Sequence, residues 1–417
     1  MRLPATASVP DRWLLSRLLR ILGPIPVRFV LNGEATSPPA SSPLLSTVRI
    51  RDRRTMAGLL LDPEITFGDA YSDGSIEVKG DLVSLLEVVY RAMQERGKRG
   101  WCSRLVSRWL DFQQANTSSG SRRNIHEHYD LGTDFFRLWL DRQLLYTCAY
   151  FPTPSSTLDE AQEAKMDLVC RKLQLQRGET VVEAGCGWGA LAIHMARQYG
   201  VRARAFNISH DQILYARRRA AEEGLSGQVE FIEDDYRNIT GRYDAFVSVG
   251  MLEHVGSSHY PELGNVISRA IGRSGRGLLH FIGRSRPAAL SSWIRKRIFP
   301  GAYPPALREV MEIFEPSGYT VLDVENLRLH YARTLEVWLE RFERSRQRVI
   351  EMFDPQFARA WRLYLAGSML AFRVGTLQLY QVVFAGPQSQ WAPWSRAQLY
   401  AGQPEPEPRR TWIPVMS

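Results

Sequence analysis

Glu183-Ala184-Gly185-Cys186-Gly187-Trp188-Gly189 sets an acid ahead of three glycines at alternate positions. A turn without side chains lets the backbone come close to a ligand, and at a strand end in an α/β sheet it faces the ligand crevice. The dinucleotide fingerprint G-x-G-x-x-G is not met, since Ala190 and Ala192 stand where a glycine would be needed. A pyrophosphate ligand is therefore disfavoured. A second grouping, Gly250-Met251-Leu252-Glu253-His254-Val255-Gly256, puts a carboxylate beside an imidazole. It reads as a catalytic pair, as half of a metal site, or as one working residue with a bystander. His126 and His128 also invite a metal, but residues two apart share no helical face and no third ligand follows at useful spacing. No metal is expected. Cys102, Cys148, Cys170 and Cys186 show neither CxxC spacing nor a paired pattern, so the default compartment is a reducing cytoplasm.

These groups need a frame. From Thr180 onward strands alternate with helices: "ETVVEAG", then the helix "ALAIHMARQYG" closed by Gly200, the strand "VRARAFNIS", and the helix "HDQILYARRRAAEEG" closed by Gly224. Strands "VEFIEDD" and "YDAFVSVG", a helix near Tyr260 to Ile271, and strand "GLLHFIG" follow. Such alternation specifies a mostly parallel sheet covered by helices on both faces, a Rossmann-like α/β fold. The late strand "LQLYQVVFAG", after a helical stretch from about Thr334 to Val374, is expected as an edge or antiparallel member. Before this unit, "STVRIRDRR" and "EITFGDAYSDGSIEVKG" alternate like short strands around a turn, and "DLVSLLEVVYRAM" carries a helical apolar stripe. We read residues 1–115 as a small N-terminal α+β domain for lipid binding or dimerisation, 116–124 as a polar linker, and 125–400 as the catalytic domain.

An acid followed by G-x-G-x-G resembles the motif of class I methyltransferases that use S-adenosylmethionine. That resemblance implies that Glu183 orients the cofactor's amino-acid moiety while Gly185 and Gly187 allow close approach. The second strand ends in Phe206-Asn207-Ile208-Ser209, so amide and hydroxyl partners, with Gln212 in "NISHDQ", replace the usual ribose-binding acid. Asp235 and Tyr236, ending the third strand, fall where the adenine is usually read. Further stretches, "HYDLGTDFF", "LLYTCAYF", "DDYRNI", "VSVGMLEHVG", "LLHFIGR", "IFPGAYPP" and "HYARTLEVW", run in the order of the cyclopropane fatty acid synthase family, which includes the mycolic acid cyclopropane synthases. "FGDAYSDGSIEVKGDL" resembles the N-terminal domain of its longer, phospholipid-acting members. The resemblance implies a seven-stranded class I methyltransferase domain that transfers a methyl group to a cis double bond of an acyl chain and then removes a proton to close the ring.

The same resemblance implies a bound bicarbonate as base, held by Cys148, Glu253, His280, the Ile282 backbone and Tyr331. It also implies Tyr146 and Thr147 against the cofactor, with His128 to Asp130 as a lid. Such a set makes chemical sense, since a buried anion needs hydrogen-bond donors and an ionised Glu253 can accept the bicarbonate O–H. Neighbours on a strand end point to opposite sides, so Glu253 is expected to face His280 across the anion, with His254 structural.

The formal charge of +9, carried mainly by Arg, suits phosphates or anionic headgroups. Nucleic acid is the competing partner, but no base-handling motif is present, so none is expected. The segment 283–305 mixes Arg284, Arg286, Arg295, Lys296 and Arg297 with Trp293, Ile294, Ile298 and Phe299, a composition fitted to a bilayer surface with unsaturated acyl chains. Near the N-terminus, apolar residues from Trp13 to Leu22 recur at helical spacing among Arg12, Arg17 and Arg20, which suits either a packed domain helix or a membrane-surface one. No apolar run reaches the roughly 18 residues of a membrane span. A homodimer on the inner face of the membrane is expected. Two rivals remain: a related lipid methyltransferase making methylene- or methyl-branched chains, and a silent lipid-binding protein.

Overall fold

The computed structural model describes residues 9–38, 43–96 and 131–400. The expected linker at 116–124, His126 and the lid residues His128 to Asp130 lie outside them.

The first unit begins with α1 (Val9–Leu22), followed by β1 (Val27–Leu31), β2 (Glu34–Ala35) and β3 (Ser46–Ile50). Helices α2 (Arg53–Leu61) and α3 (Pro63–Ser72), strand β4 (Ile76–Gly80) and helix α4 (Leu82–Arg96) complete it. Its sheet runs β2-β1-β3-β4. Leu15, Leu18 and Leu22 of α1 pack with Val27, Leu31 and Ile76 in a shared core. The helix is packed on one side, as expected of a domain helix, and its outer side leaves Trp13 55% and Ile21 53% exposed. The alternation in 63–72 does not form a strand. Asp62 accepts from the backbone N–H of Ile65 and Pro63 occupies the first turn, a start signal that sets a helix instead.

The second unit is built on a seven-stranded sheet of order β10-β11-β9-β8-β5-β6-β7. Short helix α5 (Thr133–Arg137) and long helix α6 (Leu158–Leu173) lead into β5 (Thr180–Ala184). Then come α7 (Ala190–Tyr199), β6 (Arg202–Asn207), α8 (His210–Glu222), β7 (Val229–Glu233), β8 (Ala245–Val249), α9 (Tyr260–Ile271) and β9 (Arg276–Gly283). Strands β9, β8, β5, β6 and β7 are parallel. The chain leaves β5 first toward β6 and β7 and later returns to its other side with β8 and β9, which opens a crevice beyond the carboxyl end of β5.

Helices α10 (Ser292–Arg297) and α11 (Leu307–Phe314) precede β10 (Thr320–Asn326); α12 (Arg328–Arg344), α13 (Arg346–Met352) and α14 (Pro355–Arg373) precede β11 (Gln378–Ala385). β11 is antiparallel to both β9 and β10. It is therefore an interior strand, and β10 is the edge. The expected single helical stretch breaks where Asp354 caps a new helix by accepting from Phe357 N–H, with Pro355 in the first turn. Phe135, Phe136, Trp139, Trp338 and Trp361 fill the core between α5, α12 and α14. Edge-on contacts join several of these rings, for example Trp139 and Trp338 at 5.5 Å between centroids.

The two units meet at α3. Arg359 of α14 donates to the carbonyls of Tyr71 and Ile76 at 2.6 and 2.9 Å and covers the Tyr71 ring. Trp293 of α10 is buried against Gly68 and donates its indole N–H to Asp69, which also pairs with Arg297 at 2.7 Å. The segment expected to meet the bilayer is in large part a clasp between the units. Trp293 and Ile298 are buried, Ile294 and Phe299 face a cavity inside the protein, and Arg297 is paired.

Candidate active site

The turn after β5 is shaped by glycines that take left-handed backbone angles, with φ of 84° at Gly185 and 53° at Gly187. A Cβ on Gly187 would meet no atom within 4 Å, so it would project into open space. That space is a pocket lined by Tyr146, Thr147, Glu183, Gly185, Gly187 and Asn207, and on its far side by Gln212, Asp235 and Tyr236. Asn207 donates to Gln212 Oε1 at 2.7 Å and to the Gly187 carbonyl at 3.3 Å, tying the ends of β5 and β6 together. Asp235 is occupied locally. It accepts from the Arg237 backbone N–H and pairs with the Arg237 guanidinium at 3.0 Å. Ser209 does not line the pocket; it precedes α8, and its backbone N–H bonds to Asn207 Oδ1 at 3.4 Å.

Two buried polar atoms point to a ligand here. Glu183 Oε2 and the Tyr236 hydroxyl lack partners, and unpaired buried groups are costly unless something fills them. Burial pushes the Glu183 carboxyl up to about 8, against the pull of Lys165 and the Ala192 N–H. Lys165 was not among the expected site residues. It lies fully inside, donates to Thr147 Oγ1 at 2.8 Å, and is brought down to about 8 by burial. Its signal in the sequence was a lysine on the apolar stripe of α6, between Ala161 and Leu168.

A second cavity abuts the first, and Tyr146, Thr147, Gly250 and His254 line both. Its wall is mainly apolar, with Ile294, Phe299, Leu335, Phe372 and Leu379. Cys148, Glu253, His280, Ile282 and Tyr331 line it too. Four separate elements deliver these residues, β9 carrying His280 and Ile282 and α12 carrying Tyr331, while Cys148 and Glu253 come from loops before α6 and after β8. β8 stops at Gly250, whose φ is 74°, and Leu252–His254 turn as one 3-10 coil. The strand alternation expected to part Glu253 from His254 is therefore absent, and both line the cavity. Burial lowers His254 to about 4, which keeps its ring neutral.

Glu253 Oε1 accepts from Ile282 N–H at 2.5 Å, so that donor is held by the carboxyl. Glu253 Oε2 and His280 Nε2 are buried without partners. Burial raises Glu253 to about 7, and the Ile282 N–H opposes that rise. His280 is pushed well below its usual value by burial and then by Lys165 and Lys172. Burial also pushes the Cys148 thiol far up, and its Sγ donates to the Ala149 carbonyl at 3.1 Å. A thiol held protonated is no nucleophile. Among the described residues, no group of three or more His, Cys, Asp or Glu could hold a metal ion.

A glycine turn at the switch point of this sheet, with a buried acid beside it, defines a class I methyltransferase fold, and the comparisons place the chain within that class. The family model described as mycolic acid cyclopropane synthetase matches residues 116–382, and the chain belongs to that family of S-adenosylmethionine-dependent enzymes acting on lipids. A second model, a domain of unknown function, matches residues 24–97. The chain is 38% identical over 384 residues to the cyclopropane-fatty-acyl-phospholipid synthase of Escherichia coli K12, covering 91% of this chain and 95% of that one. It is 33% identical to the tuberculostearic acid methyltransferase UfaA1 of Mycobacterium tuberculosis, covering 91% and 94%. Among solved structures, mycolic acid cyclopropane synthase CmaA1 complexed with SAH and CTAB superposes with a TM-score of 0.60 at 31% identity, over 63% of this chain and 98% of that one.

Proposed function

We propose that the protein transfers a methyl carbon from S-adenosylmethionine to the cis double bond of unsaturated acyl chains in membrane phospholipids and closes a cyclopropane ring, with bicarbonate as general base. The observation that carries this reading is the mainly apolar cavity beside the cofactor pocket, whose lining includes Glu253 and His280 with Oε2 and Nε2 unpartnered. An acyl chain suits the apolar walls. A small anion with one O–H suits a lining in which a carboxyl and an imidazole nitrogen are buried without partners.

When bound, S-adenosylmethionine supplies the methyl group and bicarbonate the oxygen that takes up the proton released on ring closure. Glu183, Gly185, Gly187, Asn207, Gln212 and Tyr236 would hold the first; Cys148, Glu253, His280, Ile282 and Tyr331 border the space for the second. The alkene needs no deprotonation before attack, so the chain's own residues have three tasks. Tyr146 and Thr147, in the wall common to both cavities, set the approach of donor and acceptor. Leu335, Phe372 and Phe299 exclude the water that would otherwise trap a cation as an alcohol. Glu253, raised to about 7, orients the anion by accepting or donating a hydrogen bond at its unpartnered Oε2.

Membrane access fits the exposed side of α1, where Trp13 and Ile21 lie about two turns apart among Arg12, Arg17 and Arg20. The phospholipid substrate is supported by the name of the Escherichia coli relative. The UfaA1 relationship favours a second reading, in which the same initial transfer ends with proton loss to a methylene branch and a hydride donor such as a reduced nicotinamide converts that branch to a methyl group. One assay decides: incubation with S-adenosylmethionine and liposomes of cis-unsaturated phospholipid, with and without a reduced nicotinamide, then mass spectrometry of the acyl chains. A gain of one CH₂ in a ring supports the first reading, and a methylene or methyl branch supports the second. Unchanged chains would refute both.

A further inference from the structure

We propose that Gln381 and Lys172 are positioning residues that lock His280 in its Nε2–H tautomer, so that the catalytic cavity meets a hydrogen-bond donor at that corner and not a basic lone pair. The inference rests on the reading of that cavity as an anion site.

Three adjacent strands align the parts. Gln381 of β11 lies directly opposite His280 of β9 and directly opposite Glu325 of β10, and residues paired in this way share a face of the sheet. Gln381 Nε2 stands 3.0 Å from His280 Nδ1. Lys172 reaches over this face from α6, with its Nζ 2.6 Å from Gln381 Oε1 and 2.5 Å from Glu325 Oε2. Gln381 is fully buried, and Lys172 and His280 are 3% and 2% exposed.

The direction of the chain follows from donor and acceptor chemistry. An ammonium group has three donors and no acceptor, so the amide atom it touches is the oxygen. The other end of the same amide is then NH₂, which only donates. His280 Nδ1 must accept, and a neutral imidazole that accepts at Nδ1 carries its proton on Nε2. Nε2 is the nitrogen left buried without a partner, on a residue that lines the cavity. Neutrality is supported independently, because burial and the charges of Lys165 and Lys172 all disfavour an imidazolium here. Glu325 completes the relay by holding the ammonium that orients the amide. His280 is thereby a fixed donor toward an anion, and proton removal falls to another group.

The tautomer can be read without turnover, from two-bond ¹H–¹⁵N correlations of protein labelled at histidine, with the His280 signals assigned by their loss in His280→Gln. The wild type is expected to show a protonated Nε2 and a bare Nδ1. Lys172→Met frees the amide to turn its oxygen toward Nδ1, and Gln381→Leu removes the donor altogether. Both are expected to bring in the Nδ1–H form and to lower turnover about tenfold or more, the size found when the outer partner of a ligating histidine is lost. Affinity for S-adenosylhomocysteine should stay unchanged in both and so report an intact fold. A protonated Nδ1 in the wild type would overturn the proposal, and so would an unaltered Nε2–H tautomer in both variants. A shifted tautomer with undiminished turnover would instead overturn the role given to His280 in the reaction and leave the relay standing.

Discussion

Replacing Glu253 by Gln should make the protein more stable at neutral pH while stopping the reaction. The Glu253 side chain is buried, and its carboxyl is raised from an ordinary 4.5 to about 7 with burial as the main cause. Below pH 4.5 the folded and unfolded chains both hold that proton. Between 4.5 and 7 the unfolded chain releases a proton that the folded one keeps, so stability falls as pH rises; above 7 the loss is constant. At about 1.4 kcal/mol per pKa unit, a rise of roughly two and a half units amounts to about 3 kcal/mol. Gln cannot ionise, and its carbonyl can still accept from Ile282 N–H, the bond that Glu253 Oε1 takes now. Urea unfolding of both proteins at pH 5 and pH 8 is the assay. The advantage of Glu253→Gln is expected to grow by about 2 kcal/mol between those values, since about 1 kcal/mol of the effect is already present at pH 5. Other titrating groups, Glu183 among them, are common to both proteins and cancel. Product formation should be lost and affinity for S-adenosylhomocysteine kept. A stability difference that does not change with pH, or that widens toward acid, would refute the reasoning.

Gly187→Ala should fold but bind S-adenosylhomocysteine at least about tenfold more weakly by calorimetry, because its Cβ would enter the cofactor space and not the core; unchanged affinity would place the ligand elsewhere. Gly68→Ala in α3 should lower stability by about 1–3 kcal/mol, although the same change in a free helix adds up to about 1 kcal/mol. A Cβ there would need to lie within 2.4 Å of three Trp293 ring atoms, and a raised melting temperature would contradict the clasp. Trp13→Glu with Ile21→Glu should reduce co-sedimentation with anionic liposomes at unchanged melting temperature, since both side chains are half exposed; undiminished binding would remove α1 from the membrane face. Cys148 should resist iodoacetamide in the native protein, as its thiol is buried and held protonated, and rapid labelling under native conditions would count against that account.

The alternating unit from Thr180 was readable because its apolar strands and glycine-closed helices carry their own periodicity and stops. Tyr260–Ile271 forms the expected helix. The Asp62-Pro63 start signal was overlooked in favour of an apparent alternation, and β10 was missed because its residues are mostly half-buried and show no clean inside and outside. All five expected catalytic residues line one cavity. Their supports were invisible for a physical reason: Lys165, Lys172 and Gln381 are polar residues on apolar surfaces, and only three-dimensional neighbours explain why burial there is tolerated. The segment 283–305 has a use that its composition does not reveal. Its basic and aromatic mixture suits a bilayer, yet Asp69 and Gly68, more than two hundred positions earlier, claim Arg297 and Trp293.

Tyr146, Thr147, Gly250 and His254 form a party wall between the two cavities. Its lateral tie is rigid, with Tyr146 O–H against Tyr364 O–H at 2.7 Å and Thr147 held by Lys165. An occupant of one cavity that shifts this wall changes the affinity of the other cavity, and thermodynamic reciprocity makes the factor on binding the same in both directions. The two sites then have no independent affinities: whatever the occupant of the first does to the binding of the second, the second does to the first.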